Sequence, residues 1–156
     1  IIVMFGLFRK KPDRYFSDTE RERIVNAIRN AEQRTSGEVR IFIENKCEYV
    51  DPLRRAQEIF VNLKMYETAE RNAVLVYIAM KDRQLAVFGD EGIHQKVGSD
   101  FWNAEVKKML TEFKEQHYAE GLATIIEDIG EALAFHFPYE NKGDKNELPD
   151  DIVFGK

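Results

Sequence analysis

Apolar positions along the chain switch between helical and strand periods, and the switches mark its elements. Ser17-Asp18-Thr19-Glu20 has the form of a capping box, and Ile24, Ala27, Ile28 and Ala31 follow at helical spacing. Gly37 is the expected stop of this first helix. Residues 38–44, EVRIFIE, then alternate: Val39, Ile41 and Ile43 share one face, with Glu38, Arg40, Phe42 and Glu44 on the other. Phe42 on the polar side implies that this face is partly covered too. Asp51-Pro52 opens a second helix, with Leu53, Ala56, Phe60 and Leu63 along one side. The uninterrupted run AVLVYIAM, 73–80, predicts a central strand covered on both faces. A short polar turn at 81–84 leads to Leu85–Phe88, which predicts an antiparallel hairpin.

The stretch AVFGDEGIHQKVG, 86–98, reads as a strand end, an Asp90 N-cap, a short helix burying Ile93 and Val97, and a Gly98 stop. Ser99-Asp100 then caps a long helix marked by Trp102, Val106, Met109 and Phe113. Tyr118, Leu122, Ile125, Ile129 and Leu133 mark the last helix, which ends before Pro138. The order of elements predicts an α/β domain, a three-layer α/β/α sandwich whose small mixed sheet combines a parallel crossover with an antiparallel hairpin. Three strands are few for this length, which leaves room for a short edge strand. Residues 1–15 are expected to be an N-terminal arm, a candidate remnant of an anchor or of expression. Residues 16–138 are the domain, and 139–156 are an acidic tail expected to be flexible, with Ile152-Val153-Phe154 able to dock.

Composition narrows the functional classes. A net charge of −5 argues against nucleic acid as a partner. The single cysteine, Cys47, excludes an intrachain disulfide and a cysteine zinc cluster, and no disulfide-linked partner is expected. The N-terminal apolar run ends at Phe8, too short to span a bilayer, and its basic residues follow rather than precede it, unlike a signal peptide. A soluble domain is expected, cytoplasmic or membrane-associated. Nucleotide-cradling loops are missing, as are HExxH, GxSxG and EF-hand spacings, so neither nucleotide, haem nor zinc is expected. His94, His117 and His136 lie far apart and read as surface or helix-end residues.

Topology brings polar residues together. Strands one and two, joined by a helical crossover, run parallel, and strand three runs antiparallel to them. One edge of the sheet therefore gathers Ser36, Gly37 and Glu38, then Arg71 and Asn72, then Gly89, Asp90 and Glu91, with His94 one turn later. Asp82 and Arg83 fall at the opposite edge. Glu38, Asn72, Asp90 and Glu91 form a candidate metal set of the oxygen type that calcium or magnesium takes. Arg71 beside such an ion suits a phosphate, so Asp90, Glu91 and Arg71 are the catalytic candidates. Two points weigh against this. Open α/β sheets bind ligands at the carboxyl ends of parallel strands, and this is the amino end. Caps, stops and a surface Arg71–Glu38 ion pair would also account for most of these residues.

In this order and spacing, Thr35-Ser36-Gly37-Glu38 and its strand, Arg71-Asn72-Ala73-Val74-Leu75, Asp82-Arg83, the glycine-acid loop at Gly89, and Tyr118 with Gly121 resemble the TPM-domain family. The family's name joins thylakoid-lumen phosphatase, photosystem II repair and acetylcholine-receptor auxiliary proteins. The resemblance covers about residues 16–137. It implies an α/β/α sandwich, acid phosphatase activity in some members, calcium or other divalent ions in some, and accessory roles beside membrane complexes. The family's Asp-Asn-Gly is here Arg71-Asn72-Ala73, and its Gly-x-Gly-x-Glu loop is Gly89-Asp90-Glu91-Gly92. Both departures fall on the candidate metal set. The expectation is an accessory or interaction module for a membrane-associated complex, with a vestigial divalent-ion site. The alternative is a metal-dependent, acid-phosphatase-like hydrolase of phosphate esters.

Overall fold

The computed structural model describes residues 15–139 and 152–155. The elements are α1 (Asp18–Glu32), β1 (Glu38–Glu44), α2 (Pro52–Asn62), β2 (Ala73–Ala79), β3 (Gln84–Gly89), α3 (Glu91–Lys114), α4 (Tyr118–His136) and β4 (Ile152–Phe154). They build a mixed sheet in the order β3-β2-β1-β4. β1 runs parallel to both β2 and β4, and β3 closes the antiparallel hairpin with β2.

Strand alternation produces the layers. Val39, Ile41 and Ile43 of β1 and Val74, Val76 and Ile78 of β2 pack with α1, α3 and α4 in one core. Phe42, Leu75 and Tyr77 face the other way and meet Ala56, Ile59 and Phe60 of α2. β2 is buried along its whole length, as its unbroken apolar run requires. The capping box at Ser17 and Glu20 forms in both directions, which fixes the start of α1. On the larger side, a Cβ built on Gly130 of α4 would lie 2.5 Å from the Ala31 Cβ of α1, so these helices touch through small residues.

Several expectations need correction. Gly37 does not stop α1, which ends at Glu32 with Gln33 as its C-cap. Gly37 is small for a different reason: a Cβ there would come 2.8 Å from the Leu133 side chain and 3.0 Å from the Asn72 carbonyl oxygen. Leu53 lies outside the buried face of α2, and Ile59 takes a place there instead. The stretch beyond Gly89, by contrast, is as expected: a short helix capped by Asp90 stops at Gly98, whose φ of 77° and ψ of 172° suit glycine alone, and a longer helical segment follows to Lys114.

The flexible-tail expectation fails at its end. Ile152, Val153 and Phe154 are buried as β4, paired with Ile41, Phe42 and Ile43, so the triplet docks on its own sheet. A short apolar strand gains more from that core than from solvent. The remainder of the proposed tail, from Glu140 to Asp151, and nearly all of the N-terminal arm lie outside the described residues. No helix among the described residues is long and apolar enough to cross a membrane.

Candidate functional site at the amino-terminal pole

The register places the three predicted segments side by side. Glu38 pairs with Ala73, and Val74 pairs with Gly89. Backbone bonds extend this contact beyond the strands: the Glu38 amide donates to the Asn72 carbonyl, Asp90 to Ala73, and Gly92 to Arg71. Gly92 is glycine because the backbone is close; a Cβ there would sit 2.1 Å from the Glu70 carbonyl oxygen.

Arg71 dominates the pole. Its φ of 52° is left-handed, which turns the chain sharply into β2. Its Nε donates to Asp90 Oδ2 at 2.7 Å and its Nη2 to Oδ1 at 2.9 Å, a two-pronged grip. Nη1 reaches Glu91 Oε1 at 3.2 Å. The bond to Asp90 raises the guanidinium pKa further above its ordinary value. Asp90 is buried, and its Oδ1 also accepts from the Glu91 amide at 2.8 Å, capping α3. The expected Arg71–Glu38 pair is thus replaced by Arg71–Asp90–Glu91. Glu38 is buried instead, on the side of the pleat that carries Phe42 and Glu44.

Asn72 donates through Nδ2 to Ser36 Oγ at 3.2 Å, and Ser36 Oγ reaches Glu70 Oε2 at 3.4 Å. The Asn72 Oδ1 is buried and has no hydrogen-bond partner among the described residues. Of the four expected metal donors it keeps the clearest free oxygen. Asp90 is committed at both oxygens, and Glu91 is exposed beside Arg71. A hard divalent ion takes six to eight oxygens, mostly anionic or carbonyl, so these residues do not fit one as arranged. Among the described residues, ligand atoms within 4.8 Å of one another occur at Glu112, Glu115 and His117, an exposed group at the turn between α3 and α4.

His94 is exposed, and its Nδ1 accepts from Trp102 Nε1 at 3.0 Å. That bond places the imidazole proton on Nε2 when the ring is neutral. The Trp102 ring lies over Gly89, where a Cβ would come within 2.3 Å of it. Beside this pair a cleft of about 650 Å³ runs along β3, between Pro52, Leu53 and Gln57 of α2 and Trp102, Asn103 and Val106 of α3.

The sequence profile of the TPM domain matches residues 10–132. The chain belongs to the TPM-domain family. Its fold is similar to that of the BA42 protein from the psychrophilic bacterium Bizionia argentinensis, with 40% identity, a TM-score of 0.83, and 92% of this chain and 97% of that one covered. It is also similar in fold to the N-terminal domain of the cg2496 protein from Corynebacterium glutamicum, at 12% identity and a TM-score of 0.56, covering 88% of this chain and 80% of that one. No curated protein matches the chain.

Two polar clusters of this TPM domain escaped the sequence reading. At the carboxyl end of the sheet, Glu44 is buried and accepts from Arg55 Nε at 2.8 Å and Nη2 at 3.0 Å, and from the Tyr77 hydroxyl. Burial, then the bond to Glu44, pushes the Tyr77 pKa well above the ordinary phenol value. The signal of Glu44 in the sequence was Phe42 on the same face of β1, which implied cover there; the partners Arg55 and Tyr77 follow only once α2 is laid on that face. Between α3 and α4, Lys108 Nζ bridges Glu105 Oε1 at 3.3 Å and Asp128 Oδ2 at 3.1 Å. Glu105 is buried, and burial first, then Asp128, pushes its pKa up to about 7. Its sequence signal was weak: a glutamate one residue before Val106 on a helix whose apolar face was set by Trp102, Met109 and Phe113.

Proposed function

We propose that this TPM domain is a non-catalytic interaction module, an accessory to a membrane-associated complex, with a vestigial divalent-ion site. The observation that supports this reading is the Arg71 guanidinium lodged against Asp90 and Glu91. These acids would otherwise be the anionic donors of a cation, and the fixed positive charge of Arg71 stands where the ion's charge would be needed. Water activation by calcium or magnesium at this pole would first require that grip to break.

The second reading, a metal-dependent acid-phosphatase-like hydrolase, draws on the buried, unengaged Asn72 Oδ1 and on an arginine near the pole that suits a phosphate. One pair of measurements separates the two. Full-length chain is assayed on a generic phosphate monoester from acid to neutral pH, with and without calcium or magnesium. In parallel it is cross-linked to membranes of its source and recovered. The accessory role requires no metal-dependent turnover and repeated recovery of one membrane protein. Turnover that follows the metal and vanishes in Asp90→Asn makes the hydrolase the better reading.

A further inference from the structure

β3 is an edge strand of the sheet among the described residues, and its free side opens into the cleft of about 650 Å³. The ladder tells which of its peptide groups are free. Asp90 donates to Ala73, so the pair Asp90/Ala73 is of the hydrogen-bonded kind, and by alternation so are Phe88/Leu75, Ala86/Tyr77 and Gln84/Ala79. The N–H and C=O groups of Leu85, Val87 and Gly89 therefore point away from β2, into the cleft. Among the described residues no backbone group pairs with these three on that side, and an added strand would supply their partners.

The walls suit an extended chain. α2 presents Pro52, the exposed Leu53 and Gln57, and α3 presents Trp102, Asn103 and Val106. Successive side chains of a strand point to opposite faces, so an added strand would meet the two walls alternately. Charge selects the sequence. Asp51, Asp90 and Glu91 line the cleft, and Arg71 offsets one of the two charges at the Asp90–Glu91 end, which leaves one net negative charge there. Asp51 caps α2 near the start of β3, because Arg55, one turn further on, reaches Glu44 at the carboxyl end of the sheet. Asp90 and Glu91 stand at the other end of β3. Acids thus lie at both ends of an apolar channel.

We propose that β3 captures an extended partner segment, apolar in the middle and basic at its ends, as an additional strand of the sheet. This rests on the interaction-module reading and gives it a surface and a partner chemistry. The segment's backbone would bond Leu85, Val87 and Gly89, and its lysines or arginines would face Asp51 at one end and the exposed Glu91 at the other.

The test uses isotope-labelled full-length chain and the peptide Lys-Val-Thr-Val-Thr-Val-Lys, capped at both ends. Slowed amide exchange at Leu85, Val87 and Gly89 is expected, with loss of about tenfold or more in affinity when alternate peptide nitrogens are methylated. A Glu-for-Lys version of the peptide should bind more weakly, and the difference should shrink in salt. Val87→Pro removes one outward donor and should weaken binding; the methylated peptide makes the same test without touching the fold. No exchange protection at these amides with saturating peptide overturns the proposal, and so does protection that methylation leaves unchanged. Dimerisation through β3 without peptide overturns it too, by naming a second copy as the occupant. If a membrane protein is still recovered while the peptide ignores β3, the strand-capture idea falls and the module reading stands.

Discussion

Arg71 holds Asp90 through two hydrogen bonds, of 2.7 and 2.9 Å, while Asp90 caps the helix that follows. One residue thus ties the turn before β2 to the start of α3 and offsets one of the two acidic charges beside it. If this guanidinium is what denies the pole to a cation, Arg71→Asp should create a site. Aspartate tolerates the left-handed backbone at this position better than most residues. The variant would set a new carboxylate beside Asp90, Glu91 and the free Asn72 oxygen. Without calcium it should melt below the parent, through like-charge repulsion. With calcium its melting temperature should climb while the parent's stays put. A thermal-shift titration checks this, and equal response of the two proteins would remove Arg71 as the cause.

Gly92 offers a second handle on the same junction. Its amide donates to the Arg71 carbonyl at 2.8 Å, and any Cβ would meet the Glu70 and Arg71 backbone. Backbone cannot step aside as a side-chain tip can. Gly92→Ala should therefore destabilise by about 1–3 kcal/mol, as overpacking does, despite alanine's better helix propensity. Urea unfolding would show a lower midpoint with the slope unchanged.

Much of the architecture could be read before any coordinates. Ser17-Asp18-Thr19-Glu20, Asp51-Pro52 and the unbroken 73–80 run announce their elements locally, because caps and strand periods depend on near neighbours. The pole was legible for a related reason: crossover and hairpin rules fix strand directions, so Glu38, Arg71, Asn72, Asp90 and Glu91 had to meet at one edge. Partner choice was not legible. Whether Arg71 takes Glu38 or Asp90 depends on side-chain direction at a left-handed residue. The Trp102–His94 bond was equally hidden, since it spans the break at Gly98. β4 escaped because three apolar residues carry too short a pattern to show a period.

That short strand should matter in proportion to its burial. Phe154 is 0% exposed, pairs beside Ile43, and lies 5.1 Å under the Arg21 guanidinium. Phe154→Ala should cost roughly 3–5 kcal/mol, the usual range for emptying an aromatic site in a core. Chemical denaturation measures it. A cost below about 1 kcal/mol would mean that β4 is peripheral to the fold.

At the carboxyl end of the sheet, Glu44 answers both Arg55 and the Tyr77 hydroxyl. Glu44→Ala would strip a partly buried guanidinium and a buried hydroxyl of their acceptor at once. A loss of about 2–3 kcal/mol is expected, the scale of charged hydrogen bonds. The Tyr77 phenol pKa should fall when the carboxylate goes, since that bond helps hold it up. Ultraviolet titration of tyrosinate in the two proteins reads this separately from stability.

Glu105 sets the direction of the pH dependence. Burial, with Asp128 beside it, pushes its pKa from 4.5 to about 7, while Lys108 pulls the other way. Around it stand Lys108 on its own helix and Asp128 on α4, with Lys96, Glu131 and His136 lining a pocket between α3 and α4 that Glu105 borders. The folded protein holds this proton more tightly than the unfolded chain, so the protonated carboxyl favours folding. That contribution is complete below the unfolded pKa and is lost as pH climbs through about 7. Stability should therefore decline from about pH 5 to about pH 8, by on the order of 3 kcal/mol from this group. Glu105→Gln keeps the shape and removes the titration. It should flatten the curve, melting close to the parent in acid and above it in mild base. Asp128→Asn should shift the parent's decline to lower pH, because one cause of the raised pKa is gone. Melting temperatures of the three proteins across this range decide the matter, and an unchanged slope in Glu105→Gln would show that Glu105 is not the source of the decline.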